Sequence, residues 1–377
     1  MRIVMFCHSL RACWNHGNAH FLRGVARALQ QLGHDLAIYE PRDAWSLVNQ
    51  RREPAHAAAL ARLATVYPTL AARDHVVDEL DLDAALDGAD AVLVHEWNDP
   101  ALVARIGAHR RAVGGYALLF HDTHHRAVSA PEEMARYDLS AYDGVLAFGD
   151  VVRDLYLARG WTARAWTWHE AADTAVFRPL TAVRDLDLVW IGNWGDDERA
   201  AELREFLIAP VAELGLEAVV HGVRYPDDAL RDLSLAGIAY RGWIANLDVP
   251  AAFARARATV HVPRRPYATA LPGIPTIRMF EALACAVPLV SAPWDDREGL
   301  FRPGVDYLVA RDGAEMKRHL RTLLADRPLA AAIAASGRAR VVERHTCAHR
   351  ARELLAILAG LGVDAAAGAT QPTRIGA

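Results

Sequence analysis

Short, uninterrupted apolar runs alternate along the chain with longer stretches in which apolar positions recur every three to four residues. Residues 3–7 are Ile3-Val4-Met5-Phe6-Cys7, the pattern of a strand buried on both faces. Residues 18–32 then set Phe21, Leu22, Val25, Leu29 and Leu32 on one helical face, and Gly33-His34-Asp35 ends that helix. The alternation continues with predicted strands at 36–39, 91–95, 116–121 and 145–148 and predicted helices at 100–113 and 151–159. A second cycle opens near residue 186. It has predicted strands at 186–191, 217–221, 238–241, 259–262 and 288–291, and predicted helices at 198–207 and 276–285. After Val309 the chain reads as helical to about Leu361, and residues 363–377, rich in Ala, Gly and Thr, are expected to be disordered.

Continuous apolar strands separated by helices predict parallel sheets covered on both faces, joined by right-handed crossovers. The expectation is therefore an α/β protein with two Rossmann-like, doubly wound domains, 1–180 and 181–362, joined near residues 173–184 and facing a central cleft. Ligands of such sheets sit at the carboxyl ends of the strands, so the cleft is the expected site.

Composition narrows the function. Of 377 residues, 53% are apolar and 23% charged, which excludes a disordered chain. With 42 basic and 46 acidic residues the net charge is −4, so no nucleic-acid partner is expected. Lys317 is the only lysine, so an anion site must use Arg, His or backbone N–H groups. Four scattered cysteines (Cys7, Cys13, Cys285, Cys347) form no C-x-x-C pair, which suggests neither a disulfide framework nor a zinc knuckle. The chain opens directly into a strand, without a leader pattern, and no uncharged stretch reaches the length of a membrane span. A cytoplasmic protein is expected, with peripheral membrane contact left open.

Candidate chemistry falls at strand ends. After the first strand, Gly17 permits close backbone approach to a ligand and Asn18 can cap the next helix; a capped helix start with no ligand is the plainer alternative. The turn is not G-x-G-x-x-G, which argues against a dehydrogenase. His121-Asp122-Thr123-His124-His125 ends another strand. His121 is a candidate substrate contact, with Asp122 fixing its tautomer; a structural role or a metal site are the other readings. Two D-x-D triplets, Asp81-Leu82-Asp83 and Asp185-Leu186-Asp187, lie away from ligand-binding strand ends and read as solvated surface. Gly192-Asn193-Trp194-Gly195 follows the strand at 186–191, and Arg199 either reaches an anion or is an ordinary surface arginine. A Pro/Gly-rich loop delivers the chain to a helix start at Thr276 and Ile277, where free N–H groups suit a diphosphate. Glu281, in apolar company, needs a partner: either two ribose hydroxyls or Arg278, three residues earlier on the same face. Trp14, Trp97 and Trp194 stack on a ligand or pack in the core.

Four segments carry a resemblance over roughly residues 1–355: His16-Gly17 with Gly33-His34-Asp35; His121-Asp122; Asp173 to Pro179; and Glu281-Ala282-Leu283-Ala284-Cys285-Ala286-Val287-Pro288. In this order they resemble GT-B-fold glycosyltransferases of the family-4 group and their CgeB-like relatives. The resemblance implies transfer of a sugar from a nucleotide-sugar donor to an acceptor hydroxyl, retention of configuration, and neither cofactor nor metal. It implies that His121 and Asp122 are catalytic. It also implies that Glu281 holds the ribose, and that Gly192, Asn193, Arg199, Thr276, Ile277 and Arg278 bind the donor, with Gly17 and Asn18 on a cleft loop. The sequence departs from that pattern at Gly273, where a glutamate is expected seven intervening residues before Glu281. A binding-only homologue and a sugar-nucleotide epimerase are the alternatives.

Overall fold

The computed structural model describes residues 1–363; the expected disorder of the tail concerns residues that, apart from Val363, lie outside them. Two wholly parallel sheets organise the chain. The first holds β1 (Arg2–Phe6), β2 (Asp35–Pro41), β3 (Ala72–His75), β4 (Ala91–His95), β5 (Ala117–Asp122), β6 (Gly144–Ala147) and β7 (Ala165–Thr167), in the order β3-β2-β1-β4-β5-β6-β7. The second holds β8 (Leu186–Ile191), β9 (Ala218–His221), β10 (Ala239–Tyr240), β11 (Ala256–His261), β12 (Leu289–Ser291) and β13 (Leu308–Val309), in the order β10-β9-β8-β11-β12-β13. Helices cover both, as the continuous apolar strands require. In each sheet the strand order reverses beside its first strand, at β1/β4 and at β8/β11, and such switch points open a crevice at the carboxyl ends.

Several elements depart from the sequence pattern. The strand β13 and the helices Trp45–Gln50 and His56–Val66 have no predicted counterpart, and three other elements differ for a physical reason. β3 (Ala-Arg-Asp-His) and β7 (Ala-Trp-Thr) are edge strands, short and not continuously apolar, so no buried run marks them. The single helix predicted at 198–207 is instead a 3₁₀ turn, a short α-helix (Ala200–Leu203) and a π-helical turn (Arg204–Ile208).

The crossing between the sheets is built around Asp173. Its carboxylate pairs with Arg27, accepts the Tyr67 hydroxyl at 2.6 Å and caps the Ala175 N–H at 3.2 Å. Phe177, two residues beyond Ala175, is fully buried. The final helix, Cys347–Gly360, returns to pack on the first helix, Ala19–Gln31, so one apolar core runs from Ile3 and Phe21 through Phe177 to Phe280 and Leu354. The two helices meet at Gly24, where an added Cβ would lie 2.5 Å from Cys347 Sγ and 2.7 Å from Asp173 Cβ. No helix among the described residues is long and apolar enough to cross a membrane, and the four cysteines are buried and unpaired.

Gly24→Val should therefore destabilise the protein by about 1–3 kcal/mol through overpacking, read as a lower urea midpoint. An unchanged midpoint would show that the two helices can separate freely.

Candidate functional site

The two switch points open onto one cavity of about 460 Å³ between the sheets. The first lobe contributes the loop after β1 (His8, Asn15, His16, Gly17, Asn18), Trp45 and Ser46, Trp97 after β4, and Thr123 and His124 after β5. The second contributes Gly192, Asn193, Arg199 and Arg224, then Arg264 after β11, Tyr267, and the helix start at Thr276, Ile277 and Arg278. Glu170, on the segment between the lobes, completes the wall.

The loop after β1 is held from below. Buried Glu40 accepts the N–H groups of Leu10 and Arg11 at 2.5 and 3.2 Å and pairs with the Arg11 guanidinium, while Arg23 donates to the Leu10 carbonyl at 2.6 Å. Gly17 lies against the opposite lobe: a Cβ there would stand 3.1 Å from Ile277 Cγ2. Asn18 begins the helix, but its side chain makes no cap; it donates to Thr123 Oγ1 at 2.8 Å instead. The loops also bond across the cleft, Asn193 Nδ2 donating to Asn15 Oδ1.

The second lobe presents a cationic wall without lysine. Arg199, Arg224, Arg264 and Arg278 all line the cavity. Arg224 Nη2 donates to both carboxylate oxygens of Asp196 at 2.9 and 3.0 Å, and Arg264 reaches Glu198 at 3.0 Å. Arg199 is bound to three carbonyl oxygens, of Trp194, Val262 and Asn193, and to no carboxylate. Burial, reinforced by the charge of Arg264, lowers its pKa to about 9. It both braces the loops and adds uncompensated positive charge. The helix Ile277–Ala284 starts at Thr276, whose hydroxyl faces His261 Nε2 at 2.9 Å rather than capping the helix, which leaves the first amides open towards the cavity.

Three of the predicted site residues lie outside the cavity lining. Glu281 is fully buried and does not line the cavity; it pairs with Arg278, and His20 Nδ1 of the first lobe lies 2.8 Å from its Oε1. Among the described residues Arg278 is the ion-pair partner of this carboxylate. His121 and Asp122 lie behind the cavity wall. β5 runs through Asp122, so the residues that emerge beyond its end are Thr123 and His124. His121 packs against Trp168 at 4.8 Å and His95 at 5.2 Å, and burial lowers its pKa to about 3. Asp122 accepts the His124 N–H at 3.0 Å and the Tyr156 hydroxyl at 2.9 Å, and burial raises its pKa to about 6.

The imidazoles that do line the cavity are held neutral. Burial lowers His8 to about 4, and lowers His16 and His124 well below the ordinary value, with neighbouring positive charge adding to the effect. Among the described residues no group of His, Cys, Asp or Glu side chains is arranged to hold a metal ion. Trp97 (39% exposed) and Trp45 (47%) border the first-lobe side of the cavity, whereas Trp14 packs on Trp45 and Trp194 is buried. Gly273 sits at φ +93, where a Cβ would lie 2.4 Å from Glu298 Oε1, so no side chain fits there without displacement. Both D-x-D triplets are surface features: Asp81 caps a short helix, and Asp185 and Asp187 pair with Arg255 and Arg257.

Sequence reasoning missed Arg264, Arg224, Tyr267, His8, Trp45 and Glu170. Arg264 follows the apolar run that becomes β11, so the strand-end rule could have found it. Glu170 stands alone in an irregular segment that carries no periodic signal.

Residues 199–356 match the family model described as Glycosyl transferase-like. No match was found among curated protein sequences. Among solved structures, the chain is similar to sucrose-phosphate synthase from Thermosynechococcus elongatus, at 15% identity and TM-score 0.67, over 96% of this chain and 99% of that one. It is similar to HepE of Anabaena in complex with UDP-glucose, at 13% identity and TM-score 0.68, over 96% and 100%. It is also similar to BGT of phage T4 in complex with its UDP-glucose substrate, at 12% identity and TM-score 0.59, over 95% and 98%. At these identities the likeness is one of fold, the two-sheet GT-B architecture.

The site also makes a pH prediction. A carboxyl raised on folding from its ordinary 3.8 to about 6 contributes stability that is fully present below the lower value and lost as pH rises through the higher one. Asp122→Asn removes that dependence. The stability of the wild type relative to the variant should fall by on the order of 2 kcal/mol between about pH 4 and pH 7 in urea melts. Parallel pH profiles would refute the assignment.

Proposed function

We propose that this protein, whose residues 199–356 match the model described as Glycosyl transferase-like and whose fold is of the GT-B type, transfers a sugar from a nucleotide-sugar donor to an acceptor hydroxyl. The observation that carries this reading is the asymmetry of the cavity. Its second-lobe wall is cationic and includes an open helix start; its first-lobe wall is made of neutral imidazoles, hydroxyls and tryptophan. A diphosphate belongs on the cationic second-lobe wall and a hydroxylated acceptor on the neutral first-lobe wall.

In this reading the Ile277 and Arg278 amides and the Arg278 guanidinium hold the diphosphate, with Gly192 and Asn193 lining the donor side. Glu281 is a positioning residue: it fixes Arg278 through the buried ion pair. Negative charge grows on the departing diphosphate as the anomeric carbon–oxygen bond breaks, and fixed arginine and N–H donors aimed at it lower the barrier. The acceptor oxygen forms the new bond and its proton leaves with the nucleoside diphosphate. Arginine supplies the cationic role that a metal supplies elsewhere, so metal-independent transfer is part of the proposal, as are retention of configuration and a cytoplasmic setting. On the acceptor side, Trp45 and Trp97 offer flat apolar faces of the kind a sugar or other ring stacks on. A binding-only homologue is the rival that one observation favours, because the carboxylate expected at position 273 is absent and sterically excluded.

Nucleoside diphosphates should raise the melting temperature of the protein. Arg278→Ala should weaken their binding in calorimetry by at least about tenfold, the loss of one charge-assisted contact. Unchanged affinity would remove the diphosphate from this wall. Release of nucleoside diphosphate from a bound nucleotide sugar, measured with and without acceptors, separates an enzyme from a binding protein.

A further inference from the structure

Glu170 is the one acid in the described lining of the cavity, and no described residue hydrogen-bonds its buried Oε1. The residue is 5% exposed, and its Oε1 is buried without a hydrogen-bond partner among the described residues. A carboxyl left so is costly, and it is retained where a ligand completes it. Its neighbour His169 turns away from the cavity, with Nε2 2.9 Å from Glu298 Oε2 and Nδ1 3.1 Å from the Phe148 carbonyl oxygen, so the two side chains do not satisfy each other.

The surroundings select what completes it. The charged groups acting on Glu170 are Glu281 and Glu96, which disfavour its ionisation, and Arg278, which favours it; Tyr267 stands close by on the other lobe. Burial and the charge of Glu281 hold the carboxyl well above the usual range, so it keeps an O–H to donate as well as an oxygen to accept. An ionised phosphate or carboxylate can accept from that O–H but has no donor for the carboxyl's own free oxygen, and it would compete for Arg278. A neutral polyol offers paired donors and acceptors at the spacing of adjacent hydroxyls. We propose that Glu170 receives the hydroxyls of the transferred sugar, placing the sugar between the Arg278 side of the cavity and Thr123–His124, and that it selects neutral sugars over carboxylated or phosphorylated ones. This rests on the donor reading above.

The test compares each nucleoside diphosphate with its hexose conjugate: UDP with UDP-glucose, GDP with GDP-mannose, ADP with ADP-glucose. Titrations use the full chain and the E170Q and E170A variants. The sugar-bearing ligand should lose at least about tenfold in affinity in both variants, while the parent diphosphate stays within about twofold. The melting temperature of unliganded E170Q should equal or exceed that of the wild type, because an amide is cheaper to bury there than an unpartnered acid. Equal affinity of wild type and both variants for the conjugate overturns the role of Glu170 and leaves the diphosphate site standing. So does a fall in melting temperature with parallel losses for both ligands, which marks Glu170 as structural. Failure of the wild type to bind any diphosphate overturns the donor reading and this inference together.

Discussion

A single buried carboxylate, Glu281, stands where the two lobes and the cavity wall meet. A charge with no access to water has to be paired, and removing one partner of such a pair leaves a penalty of about 3–5 kcal/mol. Two side chains, one from each lobe, approach Glu281. Arg278 is held at the helix start by the ion pair, and His20 of the other lobe's first helix comes within 2.8 Å of the same carboxylate. Gly17 then rests on Ile277 one turn away. Local register of the helix, contact between the lobes and the direction of one cavity arginine thus follow from one unmet electrostatic need.

The cavity's electrostatics are built by subtraction as much as by addition. Burial keeps the first-lobe imidazoles neutral, so the positive potential is confined to the arginine wall. Arg224 and Arg264 are partly neutralised by Asp196 and Glu198, while Arg199 is bound only to carbonyl oxygens and keeps its charge undiminished. An anion entering this space meets a gradient across the cleft and not a uniform field.

Much of this fold is legible in the sequence because a strand buried on both faces must be continuously apolar. The runs at 91–95 and 186–191 match their strands to the residue. The edge strands Ala72–His75 and Ala165–Thr167 are not legible, since an edge has no second neighbour to demand that pattern. The site is legible in its loops but not in its depths. Gly17, Gly192, Asn193, Thr276 and Arg278 follow from the rule that ligands gather at strand ends and helix starts. Which residue of His121-Asp122-Thr123-His124 faces the cavity depends on where the strand stops, and a shift of two residues exchanges core for surface. For Glu281 the sequence offers two unlike partners, ribose hydroxyls or the Arg278 guanidinium, and the helical spacing that permits the ion pair does not show how deeply the pair is buried.

The chain passes between the lobes twice, and the two passages are joined. Ala172 donates its N–H to the His345 carbonyl at 3.0 Å and accepts the N–H of Cys347 at 3.0 Å, a short parallel bridge at the back of the cleft. Two covalent links side by side form a leaf hinge. They oppose twisting and sliding of one lobe on the other and leave bending about one line as the soft motion. The bridge therefore holds the facing residues of the two lobes in register, so that whatever enters the cleft meets fixed opposed pairs.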